Sequence, residues 1–346
     1  MSRVVTFMSR KFKAAVLRKT GQELSIEEIE SSSLSFGQVL VRLNYSGICR
    51  SQLMEKEGKR GEDKWLPHLL GHEGFGVVEE IGAGVSKCKP GDRVVLSWLE
   101  GNGIDAENPT YFDALGKKIN SGKVTTFSNY SVVSENRLFP APQGFSEKFL
   151  PLFGCALLTG GGMAIKYGNR PEVRKACVIG FGGIGSAAAL VLKGIGNLQV
   201  EIVEVAQEKI EMARKLGFVD IHNEISKSSG DFDLIIEASG TVSAIEEGFT
   251  NLSAKGTLVF ASHPEKGSKI SLDPHELIKG KRIFGTWGGD MNPDEDMKMI
   301  GELLVKSGAK LDVLLGEMFS IDEINIGLAY LDTGKPGRPI LRLSEE

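Results

Sequence analysis

Short apolar or alternating runs dominate the first part of the chain. Lys13–Leu17, Gln38–Leu43, Gly76–Ile81 and Arg93–Ser97 are each bounded by Gly, Pro or Asp, the pattern of strands closed by turns. Residues 11 to about 140 therefore read as β-rich. From about Thr159 to Gly289 the pattern changes to apolar strands alternating with helical segments. The strands are Ala176–Ile179, Val200–Val205, Leu234–Glu237, Thr257–Ala261 and Arg282–Gly285. Between them, Gln207–Leu216 puts Ile210, Met212, Ala213 and Leu216 on a partial helical face. Such alternation predicts an α/β region built on a doubly wound parallel sheet. After Asn292-Pro-Asp-Glu come a helix near Met297–Lys306 and a mixed tail ending in Pro339-Ile-Leu-Arg-Leu. The α/β region, 157–290, thus reads as inserted into a β-rich domain made of 1–156 and 291–346.

The junction between the first of these strands and its helix carries chemistry. Lys175-Ala-Cys-Val-Ile-Gly-Phe-Gly-Gly-Ile-Gly185 is a short apolar strand followed by glycines at G-x-G-x-x-G spacing, and Ser186–Lys193 continues as an apolar helix. Gly180 allows a tight turn, Gly182 lets backbone approach a pyrophosphate, and Gly185 lets helix pack on strand; Gly183 and Ile184 complete the turn. The helix start offers free N–H groups and a positive dipole end to phosphates. Glu204 follows on the next strand, where an acidic group would hold an adenosine ribose. Strand, turn, helix and acid together favour dinucleotide binding over an ordinary strand-to-helix turn.

Composition narrows the class. The 346 residues suffice for about two domains, and 41% hydrophobic with 25% charged residues is ordinary for a globular protein. A net charge of −4 implies no nucleic-acid partner. The basic start, Arg3, Arg10, Lys11 and Lys13, lacks a sustained apolar stretch, so no secretory signal is expected. No run of eighteen apolar residues suggests a membrane span. The four cysteines, Cys49, Cys88, Cys155 and Cys177, are widely spaced, which points to reduced thiols or metal ligands in a cytoplasm. Cys88, between Lys87 and Lys89, reads as a surface thiol, and Cys177 as a strand-core residue.

Three segments offer zinc-competent groups: Gly47-Ile-Cys-Arg-Ser51, Gly71-His-Glu73 and Gly154-Cys-Ala-Leu-Leu-Thr159. Cys49, His72 and Cys155 would give S, N and S donors and leave a fourth position open. Their spacing is no local metal motif, and a lone cysteine or histidine is commonly a packing residue. Taken with Gly91-Asp-Arg-Val94, Thr126-Phe-Ser-Asn-Tyr130, Gly288-Gly289 and Arg338-Pro-Ile-Leu341, however, they make the chain resemble the zinc-dependent medium-chain alcohol dehydrogenases from about Lys11 to Leu343.

The resemblance implies a GroES-like catalytic domain, a Rossmann domain and an active site between them. It puts Cys49, His72 and Cys155 on the catalytic zinc and Glu73 behind the metal. Ser51 falls at the substrate oxygen and Thr159 beside the nicotinamide. Glu204 and Lys209 fall on the adenosine ribose, Arg50 and Arg338 on the pyrophosphate. Trp98 and Phe127 fall on the pocket wall, where plain core packing is the alternative. It implies one zinc per chain and NAD, with hydride passing between an alcohol (primary, secondary or polyol) and NAD to give an aldehyde or ketone. Zinc would act as Lewis acid and Ser51 as proton acceptor. The edge strand at Ile283–Trp287 suggests a homodimer or homotetramer.

Three departures stand out. The stretch from Trp98 to Phe127 holds no cysteine, so the family's four-cysteine structural zinc has no ligands. Met54 stands where some members carry a proton-relay histidine. Gln52 stands where an aspartate is common. Two rivals remain: a zinc-free quinone or enone reductase of the same fold using NADPH, and a non-catalytic NAD-binding sensor.

Overall fold

The computed structural model describes residues 9–265 and 267–344; Arg3 of the basic start lies outside them. Along the chain come strands β1 (Lys11–Leu17), β2 (Ser25–Ser31) and β3 (Gln38–Gly47), then helix α1 (Arg50–Lys56). Strands β4 (His68–Leu69), β5 (Glu73–Ile81), β6 (Arg93–Ser97), β7 (Tyr111–Phe112), β8 (Lys118–Ile119), β9 (Tyr130–Ser134) and β10 (Leu138–Pro140) follow. Helix α2 (Ala156–Met163) opens the α/β region, which runs β11 (Lys175–Ile179), α3 (Gly183–Ile195), β12 (Gln199–Val203), α4 (Gln207–Lys215) and β13 (Ile221–His222). It continues through β14 (Phe232–Glu237), α5 (Val242–Thr250), β15 (Leu252–Phe260), α6 (Pro274–Lys279), β16 (Arg282–Gly285) and α7 (Pro293–Lys306). The tail supplies β17 (Leu315–Ser320), α8 (Ile324–Tyr330) and β18 (Arg338–Arg342).

The chain divides into two compact units. The first holds the residues up to Cys155 together with Glu317–Thr333 and the stretch from Pro339; the second holds Ala156–Gly316 and Gly334–Arg338. In the first unit, one sheet runs β10-β6-β5-β3-β18-β17 with β9 also on β3, and a smaller one runs β4-β1-β2-β7-β8. Strand β3 is buried on both faces. Val39, Val41 and Leu43 join one apolar core with Leu17, Val94 and Phe127, and Leu40 joins another with Phe12, Ala14 and Tyr111. Ser46 at its far end is still fully buried, so the strand delivers the chain to Gly47 and Cys49 from inside the core.

In the second unit six parallel strands take the order β13-β12-β11-β14-β15-β16. The fold class expected from the sequence is the one observed. Order reverses between β11 and β14, the position where open α/β sheets bind ligands outside the strands' carboxyl ends. Register aligns those ends: Ile179 lies beside Val203 on one side and Glu237 on the other.

The boundary at 290 does not match this division. Helix α7 packs with the second unit, not with the first as the sequence suggested. Its Met297, Ile300, Gly301 and Leu304 form a buried stripe at helical spacing. Gly194 of α3 lies so close to the backbone of Leu303 that a Cβ there would collide. Asn292 caps the helix through the Asp294 N–H, Pro293 occupies the first turn, and Asp294, Glu295 and Asp296 face its positive end. The Asn-Pro start that resembled a domain boundary is a helix cap. Among the described residues, no single helix is long and apolar enough to cross a membrane.

Candidate functional site

In the first unit, Cys49, His72 and Cys155 offer ligand atoms that all lie within 4.8 Å of one another. Each comes from a segment beside a strand or helix end. Cys49 precedes α1 after β3, His72 precedes β5, and Cys155 follows the short helical turns of Glu147–Gly154. Glu73 ties these segments together. It is fully buried, and a Cβ on either Gly47 or Gly154 would overlap it. Glycine two residues before Cys49 and one before Cys155 therefore lets both cysteine segments close on the residue that follows His72. The Glu73 carbonyl accepts hydrogen bonds from Ser46 Oγ at 3.0 Å and Thr126 Oγ1 at 3.2 Å, which fixes the third segment.

The side chains around the cluster divide into held and unheld atoms. Gln52, 2% exposed, accepts the Cys49 N–H through Oε1 at 2.8 Å and puts its amide nitrogen on His72 Nδ1. His72 Nε2 and Ser51 Oγ are buried with no hydrogen-bond partner. Trp98 stands beside the cluster, its ring 6.4 Å from that of His72. Phe127 does not line an open wall: it is 1% exposed and belongs to the apolar core around Leu43 and Leu96. The segment from Thr126 to Tyr130 is thus a brace, with Thr126 on Glu73 and Asn129 Nδ2 donating to the Leu343 carbonyl. Arg50 is exposed and pairs with the Leu331 carbonyl at 3.1 Å and Asp332 at 3.3 Å. Cys88 is half-buried against the same core, and burial pushes its thiol up to about 11. It is a packing residue, not a surface thiol.

In the second unit, the turn after β11 is built on glycines and runs straight into the start of a helix. Gly180 has φ +87°, which a side chain would strain. A Cβ on Gly185 would overlap the Gly180 carbonyl, whereas one on Gly182 would meet nothing within 4 Å. The turn is closed on its inner side and open at Gly182. Helix α3 starts at Gly183, three residues before the sequence estimate. The Arg338 guanidinium lies over that start, 2.9 Å from where a Gly183 Cβ would be. Thr159 is buried on α2, and Lys209 lies half-buried in the first turn of α4.

Glu204 has a role that its position alone did not reveal. It lies just past the end of β12, 6% exposed, and accepts the Phe181 N–H at 2.7 Å and the Val205 and Ala206 N–H groups at 2.9 Å. Its carboxylate therefore fastens the glycine turn to the neighbouring strand. Glu237, at the end of β14, is also buried. One oxygen accepts Ser239 N–H, Ser239 O–H and Gly240 N–H; the other has no partner. Burial holds its carboxyl above the ordinary range despite those donors. No sequence signal marked Glu237 beyond its place at a strand end.

Comparison with known proteins divides along the same two units. Residues 35–143 match the alcohol dehydrogenase GroES-like domain family, and residues 183–306 match the zinc-binding dehydrogenase family. An alcohol dehydrogenase zinc-binding domain protein from Burkholderia ambifaria superposes with TM-score 0.89 at 24% identity, covering 98% of this chain and 100% of its own. Benzyl alcohol dehydrogenase from Acinetobacter calcoaceticus gives 0.85 at 23%, covering 97% and 100%. The 2R,3R-butanediol dehydrogenase from Bacillus subtilis gives 0.74 at 25%, covering 96% and 99%. Among solved structures of this fold, one is in complex with NAD and others hold NADP or NADP(H).

Proposed function

The chain belongs to the medium-chain alcohol dehydrogenase family, and we propose that within it the protein is a zinc-containing, NAD-linked dehydrogenase of a small primary, secondary or polyol alcohol. The observation that carries this reading is the convergence of Cys49, His72 and Cys155 beside a buried, unpartnered Ser51 Oγ. Two sulfurs and an imidazole nitrogen suit zinc, and three protein ligands leave a position open. His72 Nε2, buried without a partner, is the orphan that a metal would satisfy. The same donor set argues against the zinc-free reductase.

When bound, zinc supplies a Lewis acid and the dinucleotide a hydride acceptor. The chain's own residues do the rest. Ser51 Oγ has unused lone pairs and accepts the proton of the substrate hydroxyl. Met54, one helical turn further along α1, cannot take that proton onward, so the chain offers no side-chain relay at that place and the proton passes to water. Gln52 orients the His72 ring, and Trp98 borders the cluster, where it would wall a substrate pocket. Glu73 spaces the ligand segments. Arg338 and the start of α3 receive the pyrophosphate, with Gly182 open to close approach and Gly183 and Ile184 opening the helix. Arg50 contributes to phosphate binding only after leaving Asp332. Lys209 and Glu204 would hold the adenosine ribose, Glu204 through lone pairs not used by the three N–H groups it accepts, and Thr159 would border the nicotinamide.

Glu204 sets the coenzyme. Its charge at the end of β12 opposes a 2′-phosphate, and no arginine stands among Val205, Ala206 and Gln207 to offset it. NAD⁺ should exceed NADP⁺ in kcat/KM by at least about tenfold, roughly 1.4 kcal/mol, when primary, secondary and polyol alcohols are assayed with each. Equal efficiency with the two coenzymes overturns the NAD assignment, and enone reduction by metal-free protein overturns the whole reading. The exposed edge β16, with Phe284 45% exposed and Trp287 just beyond the strand 64% exposed, supports pairing of two chains. Light scattering should give a dimer or tetramer mass; a monomer at micromolar concentration contradicts it. The wide spacing of the four cysteines supports a reducing compartment such as the cytoplasm.

A further inference from the structure

A second group of metal-competent atoms is built from other residues of the first unit. Oxygens of Glu55 and Asp63 and a ring nitrogen of His68 lie within 4.8 Å of one another. His68 is 5% exposed, and its Nδ1 lies 2.9 Å from the Leu69 carbonyl. A carbonyl only accepts, so Nδ1 carries the proton, and in the neutral ring the Nε2 lone pair is left for another partner. This is the outer hydrogen bond that commonly orients a metal-binding histidine.

Nε2 points at carboxylates. Asp63 Oδ2 is 2.7 Å away and Glu55 Oε1 3.9 Å. Each acid uses its other oxygen elsewhere: Asp63 Oδ1 accepts the Trp65 N–H at 2.9 Å, and Glu55 Oε2 faces Arg60 at 3.4 Å. Two carboxylate oxygens and an imidazole nitrogen therefore converge, with two acidic charges beside one ring. A proton on Nε2 answers Asp63 alone, because Glu55 stands beyond hydrogen-bond reach. A divalent ion answers all three and neutralises both carboxylates. Ligand bonds of about 2.1 Å at tetrahedral angles put donor atoms roughly 3.4 Å apart, so the His68–Asp63 pair must open and the His68–Glu55 pair close, each by less than about 1 Å, with both acids free to turn about their side-chain bonds. Glu55 is partly exposed, which leaves an entry path.

We propose that Glu55, Asp63 and His68 form a second divalent-cation site of the zinc type, distinct in its ligands from the cysteine–histidine cluster. Its ligands join the last turn of α1, whose first turn carries Ser51, to the segment that runs through β4 into His72. A bound ion braces the ground between two functional residues. The chain thus keeps a stabilising metal although it lacks the family's four-cysteine lobe.

The test is zinc binding by the full-length protein, equilibrated with excess zinc, freed of unbound ion and analysed for metal. Wild type should hold two equivalents. Asp63→Asn and Glu55→Gln should each hold one, and so should Cys155→Ala. Cobalt(II) identifies which site remains: the thiolate-to-cobalt absorption should persist in Asp63→Asn and Glu55→Gln and vanish in Cys155→Ala. Far-UV circular dichroism checks that each variant folds. One equivalent in wild type overturns the proposal, as does a second equivalent that survives in both carboxylate variants. The outcome does not depend on the proposed alcohol dehydrogenase activity.

Discussion

The cysteine–histidine cluster and the glycine turn satisfy their polar groups in opposite ways. At the turn, Glu204 accepts three backbone N–H groups and locks the loop to the sheet. At the cluster, His72 Nε2 and Ser51 Oγ are buried and unanswered, while Gln52 must serve both the Cys49 N–H and His72 Nδ1. A buried polar atom without a partner costs about 1–3 kcal/mol. The turn's carboxylate is satisfied within the chain, whereas an imidazole nitrogen and a hydroxyl at the cluster are not. Removing groups at the cluster should therefore damage function far more than fold.

The largest effect is expected from Cys155→Ala. Loss of one of two sulfur donors should abolish alcohol oxidation while circular dichroism and the unfolding transition stay near wild type. A variant that keeps more than a small fraction of the activity would place the reaction elsewhere. Next is Ser51→Ala, expected to slow kcat/KM on the best alcohol by roughly a hundredfold, the scale of a lost proton-transfer partner. Unchanged kcat/KM would move that role to another group, with Glu73 and Thr159 the first to test. The smallest effect tests the contrast from the other side. A metal-bound His72 must donate from Nδ1, yet the Gln52 oxygen is already taken by Cys49. Gln52→Glu offers oxygens to both and should tighten zinc by about tenfold, within the range of outer-ligand effects. Competition with a chelator measures it; equal or weaker retention contradicts the account.

The two regions also differed in how far the sequence disclosed them. The glycine turn is contiguous, and its strand, spacing and helix lie within one stretch, so Gly180 to Gly185 could be read directly. Even there, the helix start was placed at Ser186, because glycines are poor helix formers and Gly183 looked like loop. The cluster gathers residues from three separated segments, and nothing local in Cys49, His72 or Cys155 announces a shared position; only the resemblance joined them. Burial that depends on tertiary contact was hidden as well. Cys88 looked exposed between two lysines, and Phe127 looked like a pocket wall. The Asn292-Pro cap of α7 passed for a domain boundary. Glu237 and the group formed by Glu55, Asp63 and His68 had no pattern to give them away.

Zinc content against activity tests the central claim most directly. Protein dialysed against a chelator strong enough to clear the carboxylate–histidine group, but not a site with two thiolates, should retain about one zinc per chain and full NAD-dependent alcohol oxidation. Stronger chelation should remove metal and activity together, and one equivalent of zinc should restore both. Full alcohol oxidation by protein that holds no metal would contradict the account.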